Sequence, residues 1–168
     1  MKESLAGTIV DIADRAKSWP AGLVNRGIGA ALFVPTATVI GIAAFLTPSP
    51  TGYGTHTKLG LGECTMLHFT GFPCPMCGMT TTFALMAHLR PVDALLNQPF
   101  GPFLFAATVA AAVVGGIDLL TGAGVWKRVL LALERFEQRI AIFMLVGLFA
   151  GWIYKILLMH PELRPWAA

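Results

Sequence analysis

The run Gly71-Phe72-Pro73-Cys74-Pro75-Met76-Cys77-Gly78 holds two of the chain's three cysteines, and the third, Cys64, lies upstream with His68 between them. The pattern is Cys-x3-His-x5-Cys-x2-Cys. Cys-x2-Cys is the usual half of a tetrahedral zinc site, and a histidine can replace one thiolate there. Cys64, His68, Cys74 and Cys77 are therefore the candidate metal ligands, with structural zinc as the ion they suit. Pro75 stiffens the turn between the two sulfurs, and Gly78 tolerates a positive φ. A short helix is expected from about Met79 to Leu89, directly after the motif. Its first amides favour thiolates beside them.

Other chemistries compete for the same atoms. An extracytoplasmic setting favours a disulfide between two of the three cysteines, leaving the third free. Cys-x2-Cys at a helix start also serves thiol oxidoreductases, but no thioredoxin-like βαβ pattern surrounds it. Covalent haem attachment needs a histidine after the second cysteine, and Gly78 stands there. Met66, Met76, Met79 and Met86 fall in the same stretch, and thioethers with thiolates suit Cu(I). Methionine is also a common apolar filler, which makes copper the lesser expectation. No second catalytic constellation is present, so the chain does not read as an enzyme.

The elements that must position these residues are membrane helices. Of 168 residues, 55% are hydrophobic and 12% charged, against about 25% charged in soluble domains. Three apolar runs are long enough to cross a ~30 Å hydrocarbon core, and spans are expected at 27–47, 100–121 and 140–160. The first is too long and too far from the start to be a cleaved signal peptide. Two flanking stretches, 1–26 and 122–139, are amphipathic and suit the membrane interface. Leu5, Ile9, Ile12, Ala16 and Trp19 share a face in the first. Val125, Trp126, Val129, Leu130, Leu133 and Phe136 do so in the second. The expected fold is all-α and integral to the membrane. It forms one domain of three spanning helices, with amphipathic interfacial helices and a short re-entrant or interfacial helix after the Cys motif.

Orientation follows from the basic residues. Lys2, Arg15, Lys17, Arg26, Lys127, Arg128, Arg135 and Arg139 flank one side, while Lys58, Arg90, Lys155 and Arg164 flank the other. The N-terminus is thus expected in the cytoplasm, and the 48–99 loop with all three cysteines outside it. The basic residues serve this bias, and a net charge of only +3 makes no case for nucleic acid.

At this point the chain resembles a bacterial membrane family known as domain of unknown function 2752. The resemblance is carried by Cys64, by His68-Phe69-Thr70-Gly71, and by Cys74-Pro75-Met76-Cys77-Gly78-Met79-Thr80. Asn97-Gln98-Pro99 and a span follow. Thr81 and Thr82 stand where many members carry an arginine. The resemblance covers about residues 60–110. It implies a small multi-span protein of the bacterial inner membrane and supplies no activity.

The remaining polar residues have ordinary explanations. His88 and Arg90 suit headgroups. Asp118 and Lys155 lie near opposite ends of their spans, where each is expected to reach water. No relay crosses the membrane between them. Small residues at Ala107, Ala111 and Gly115, and at Gly147 and Gly151, permit close helix approach. They serve internal packing, a homo-oligomer or a larger membrane complex. The functional expectation is a small membrane accessory or scaffold subunit whose Cys/His loop is stapled by a structural metal or a disulfide. The alternative is a membrane thiol-redox or soft-metal (copper) handling protein.

Overall fold

The computed structural model describes residues 20–160, and the expected amphipathic N-terminal helix lies outside them. The described residues form seven α-helices and a 3-10 helix, with no strand among them. Three helices are long and apolar enough to cross a membrane: α1 (Ala21–Phe45), α5 (Gly101–Thr121) and α7 (Glu137–Met159). Between α1 and α5 lie the 3-10 helix Thr55–Leu59, then α2 (Thr65–Thr70), α3 (Met79–Ala87) and α4 (Pro91–Asn97). Helix α6 (Val125–Glu134) separates α5 from α7. Large apolar side chains on the long helices face outward, including Val34, Val113, Phe143, Val146 and Ile153. That is the reverse of a soluble bundle and suits lipid on the outside.

The chain divides into two compact units. One draws its described residues from Met1–Thr36 and Ala110–Glu134. Here α1 starts earlier than its apolar run suggests, because Asn25 and Arg26 have work at the end of α5. Asn25 Nδ2 donates to the Gly122 carbonyl (2.9 Å) and Arg26 Nη2 to the Leu120 carbonyl (3.3 Å). These are carbonyls that a helix end leaves without intrahelical partners. Gly29 and Gly115 let the two helices meet. A Cβ on Gly115 would lie 2.7 Å from Phe33 N and 3.0 Å from Gly29 O. The small-residue stripe of α5 is thus used internally at Gly115.

Asp118 does not reach water as its place near a helix end suggested. It is fully buried, and its two carboxylate oxygens accept from the amides of Val125 and Trp126, each at 2.7 Å. The acid caps α6, where the first amides and the helix dipole favour a negative charge. The amphipathic stretch is broken at Arg135–Phe136, and α7 starts at Glu137. No residue of α6 is buried, and Val129, Leu130, Leu131 and Leu133 are exposed.

The second unit comprises Ala37–Val109 and the described part of Arg135–Ala168. Its centre is α3, whose Met79, Thr81, Thr82, Ala84 and Leu85 are buried. Helix α4 starts with Pro91, whose missing N–H costs nothing in a first turn. In α7, Gly147 lies against the Phe100 ring and Gly151 against the Gln98 side chain. Both glycines of that small-residue pair are used within the chain.

Candidate metal centre

Cys64 stands at the N-cap of α2, and its carbonyl accepts from the His68 amide (2.9 Å). Cys74 and Cys77 form the turn before α3, closed by the Cys77 amide donating to the Cys74 carbonyl (2.9 Å). Gly78 ends that turn at φ +86, a left-handed conformation that suits glycine. The folding of these two local motifs brings all three sulfurs within 4.8 Å of one another. All three are free thiols, with Cys77 buried and the other two half-buried.

The thiols differ in their environments. The Leu67 amide pointing at Cys64 is the main reason its pKa is lowered, against some burial. Burial raises Cys74, helped by its hydrogen bond with Cys64. Burial also pushes Cys77 up to about 11, with the neighbouring thiolate charges adding to it and Lys155 opposing it.

The candidate histidine His68 lies on α2, outside the sulfur cluster. It is exposed, its Nδ1 is 4.0 Å from Glu63 Oε2, and its ring meets Phe69 edge-on. A cavity of about 530 Å³ runs along His56, Glu63, Cys64, His68 and Cys77. A smaller one of about 230 Å³ is lined by all three cysteines together with His56, Met76 and Thr81. His56 therefore lines both cavities that reach the thiols. Sequence spacing offered no signal for it, since it precedes Cys64 in the glycine-rich run Gly54-Thr55-His56-Thr57-Lys58-Leu59-Gly60. Its 3-10 helix is tied to α3 through a buried hydrogen bond between the Thr55 and Thr81 hydroxyls (2.7 Å).

A polar network underlies the turn. Asn97 Nδ2 donates to the Gly78 carbonyl (3.1 Å) and to Thr82 Oγ1 (2.9 Å). Thr82 Oγ1 donates to the same carbonyl (3.0 Å). Lys155 does not snorkel outward as its depth in the span suggested. It is 1% exposed and donates to Asn97 Oδ1 (2.7 Å), Gly52 O (3.0 Å) and Asn97 O (3.4 Å). Trp152 and Tyr154 also serve the loop. Trp152 Nε1 donates to the Pro73 carbonyl (2.7 Å) and Tyr154 Oη to the Leu96 carbonyl (2.6 Å). His88, in contrast, is exposed, with Nδ1 2.8 Å from the Ala84 carbonyl of its own helix.

No curated protein and no solved structure matches the chain. Residues 64–112 match the family described as "Protein of unknown function (DUF2752)". The matched stretch begins at Cys64 and takes in the other two cysteines and Asn97, but neither His56 nor Lys155.

Proposed function

We propose that this chain is a small integral-membrane accessory or scaffold subunit whose Cys loop is held by a structural zinc ion. The observation that carries the reading is the approach of three sulfurs to within 4.8 Å. Tetrahedral zinc with Zn–S bonds near 2.3 Å sets its sulfurs about 3.8 Å apart, so small side-chain shifts bring the three thiolates into range, whereas both candidate histidines lie outside the 4.8 Å group and must move further. Cys64, Cys74 and Cys77 are the thiolate ligands and an imidazole is the fourth. His56 has the better claim to that place, because it shares the smaller cavity with all three thiols. His68, favoured by spacing, is the second candidate. The excess of Lys and Arg around the N-terminus and α6 supports a cytoplasmic N-terminus and an extracytoplasmic Cys loop in the bacterial inner membrane.

A second reading, soft-metal handling, has two observations in its favour. The larger cavity borders Cys64 and Cys77, and exposed Met76 lines the smaller one. Thiolate and thioether together suit Cu(I).

The test is elemental mass spectrometry on protein purified in detergent without a metal-affinity tag, with free thiols counted on the same sample. One zinc per chain, lost in Cys74→Ser and Cys77→Ser, is the expected result. Replacing His56 and His68 singly with alanine then identifies the fourth ligand. Copper in place of zinc selects the second reading. No metal and a single free thiol overturns both in favour of a disulfide.

A further inference from the structure

Lys155 presents a physical problem that hydrogen bonding alone does not solve. It lies in a helix long and apolar enough to cross a membrane and is 1% exposed. Its three ammonium protons have three acceptors: Gly52 O, Asn97 O and Asn97 Oδ1. All three are neutral oxygens. Among the described residues, the ion pairs are Glu63 with His68 and Arg90 with Asp93, so no carboxylate pairs with Lys155. A buried charge is costly unless it is paired.

The thiol cluster is a source of negative charge within electrostatic reach, since Lys155 and Cys77 interact. Lys155 Nζ would lie 3.0 Å from a Cβ on Gly78, the residue that follows Cys77. Its Asn97 partner holds the Gly78 carbonyl through the other end of the same amide. The ammonium is thus fixed directly behind the Cys-Pro-Met-Cys-Gly turn. Zinc bound by three thiolates and a neutral imidazole carries one net negative charge, by summing the ligand charges. An uncompensated buried cation and a net-negative metal centre balance each other.

We propose that Lys155 is the charge partner of the thiolate centre and couples metal loading to the third spanning helix. The proposal rests on the metal reading given above. Lys155 touches no metal. It acts as a positioning residue that stabilises the ligand charge, in the way outer-shell partners tune metal sites elsewhere. Its recognition chemistry also predicts preference: an anionic tris-thiolate centre gains from the ammonium, whereas a centre with one thiolate replaced by a neutral ligand gains less.

The experiment is chelator competition for zinc on the full chain in detergent, comparing wild type with Lys155→Met and Lys155→Gln. Glutamine can still donate to Asn97 or Gly52 but carries no charge, and it provides a second variant where methionine fails to fold. Loss of affinity by about 10- to 100-fold in both variants is expected. Wild-type affinity in both overturns the proposal. Retention in Lys155→Gln with loss only in Lys155→Met also overturns it, because hydrogen bonding and not charge is then what matters. Absence of zinc from the wild type overturns the metal reading, and this proposal with it. A double variant adds a second check: in a Cys77→His background, which keeps four ligands but replaces one thiolate with a neutral imidazole, Lys155→Gln should change zinc affinity by much less than in the wild type. An undiminished effect there refutes coupling through the thiolate centre.

Discussion

Replacing Gly78 with alanine tests whether the turn at the cysteines is a rigid cradle. Two costs add at this position. Gly78 has φ +86, and an L residue in the left-handed region costs about 1–2 kcal/mol. The added methyl would also lie 2.8 Å from Gly52 O, 3.0 Å from Lys155 Nζ and 3.1 Å from Lys155 Cε. One neighbour is backbone, and the other is held by three acceptors, so neither yields cheaply. Crowding of this kind costs about 1–3 kcal/mol. The total is about 2–5 kcal/mol, or a drop of roughly 5–15 °C in Tm for a chain of this size. Gly71→Ala is the matched control. Gly71 has φ +74 but nothing within 4 Å of its would-be Cβ, so it carries the strain without the crowding and should lose about 1–2 kcal/mol. Both variants and the wild type are unfolded thermally in one detergent and followed by tryptophan fluorescence. Equal Tm values for Gly78→Ala and Gly71→Ala would refute the cradle, since the difference between them isolates the contact with Gly52 and Lys155.

Two further outcomes follow from the thiol environments and the buried acid. In metal-free protein near pH 8, iodoacetamide should modify Cys64 first, where the Leu67 amide lowers the pKa, and Cys77 last, since burial pushes it up to about 11. Peptide mass spectrometry over a time course reads the order, and early labelling of Cys77 contradicts it. Asp118→Ala should cost about 1–2 kcal/mol by removing the acceptor for the Val125 and Trp126 amides, whereas Asp118→Asn keeps an acceptor oxygen and should cost less. Thermal unfolding of the two variants side by side checks the ranking.

What the sequence made legible is what is local or one-dimensional. The three spans are long apolar runs, and hydropathy finds such runs without knowing their partners. The approach of Cys64 to Cys74 and Cys77 was legible from spacing, because all three sit within two short turns. The failures share a different cause. Asn25 and Arg26 fall in the stretch expected to precede the first span, yet they bind carbonyls of Gly122 and Leu120, nearly a hundred positions away. Asp118 and Lys155 lie near helix ends as expected, but position along a helix carries no information about which way a side chain points. Both point inward, each to backbone or amide groups that only the folded chain presents. His56 escaped notice because a residue brought beside the thiol cavity by a separate 3-10 helix leaves no spacing pattern.

The direction of those inward polar groups explains how an irregular loop can be held beside spanning helices. Backbone carbonyls without partners are costly near an apolar medium. Residues at and just past the end of α7 supply donors to four carbonyls in the segment between the first two long helices. Lys155 reaches Gly52, Trp152 reaches Pro73 and Tyr154 reaches Leu96. His160 Nε2 lies 3.1 Å from the Gly71 carbonyl as its N–H donor. Three of these carbonyls, at Gly52, Gly71 and Pro73, lie in the loop that carries the cysteines, and Pro73 immediately precedes Cys74. The loop is therefore braced by the helix at points other than its thiols. That separates two roles which a zinc finger combines, where metal alone supplies the folding energy. Here a Cys74→Ser chain should keep the loop docked through Trp152 and Lys155 while losing its metal. The helix thus holds the site through hydrogen bonds to its backbone, independently of any ligand at the three thiols.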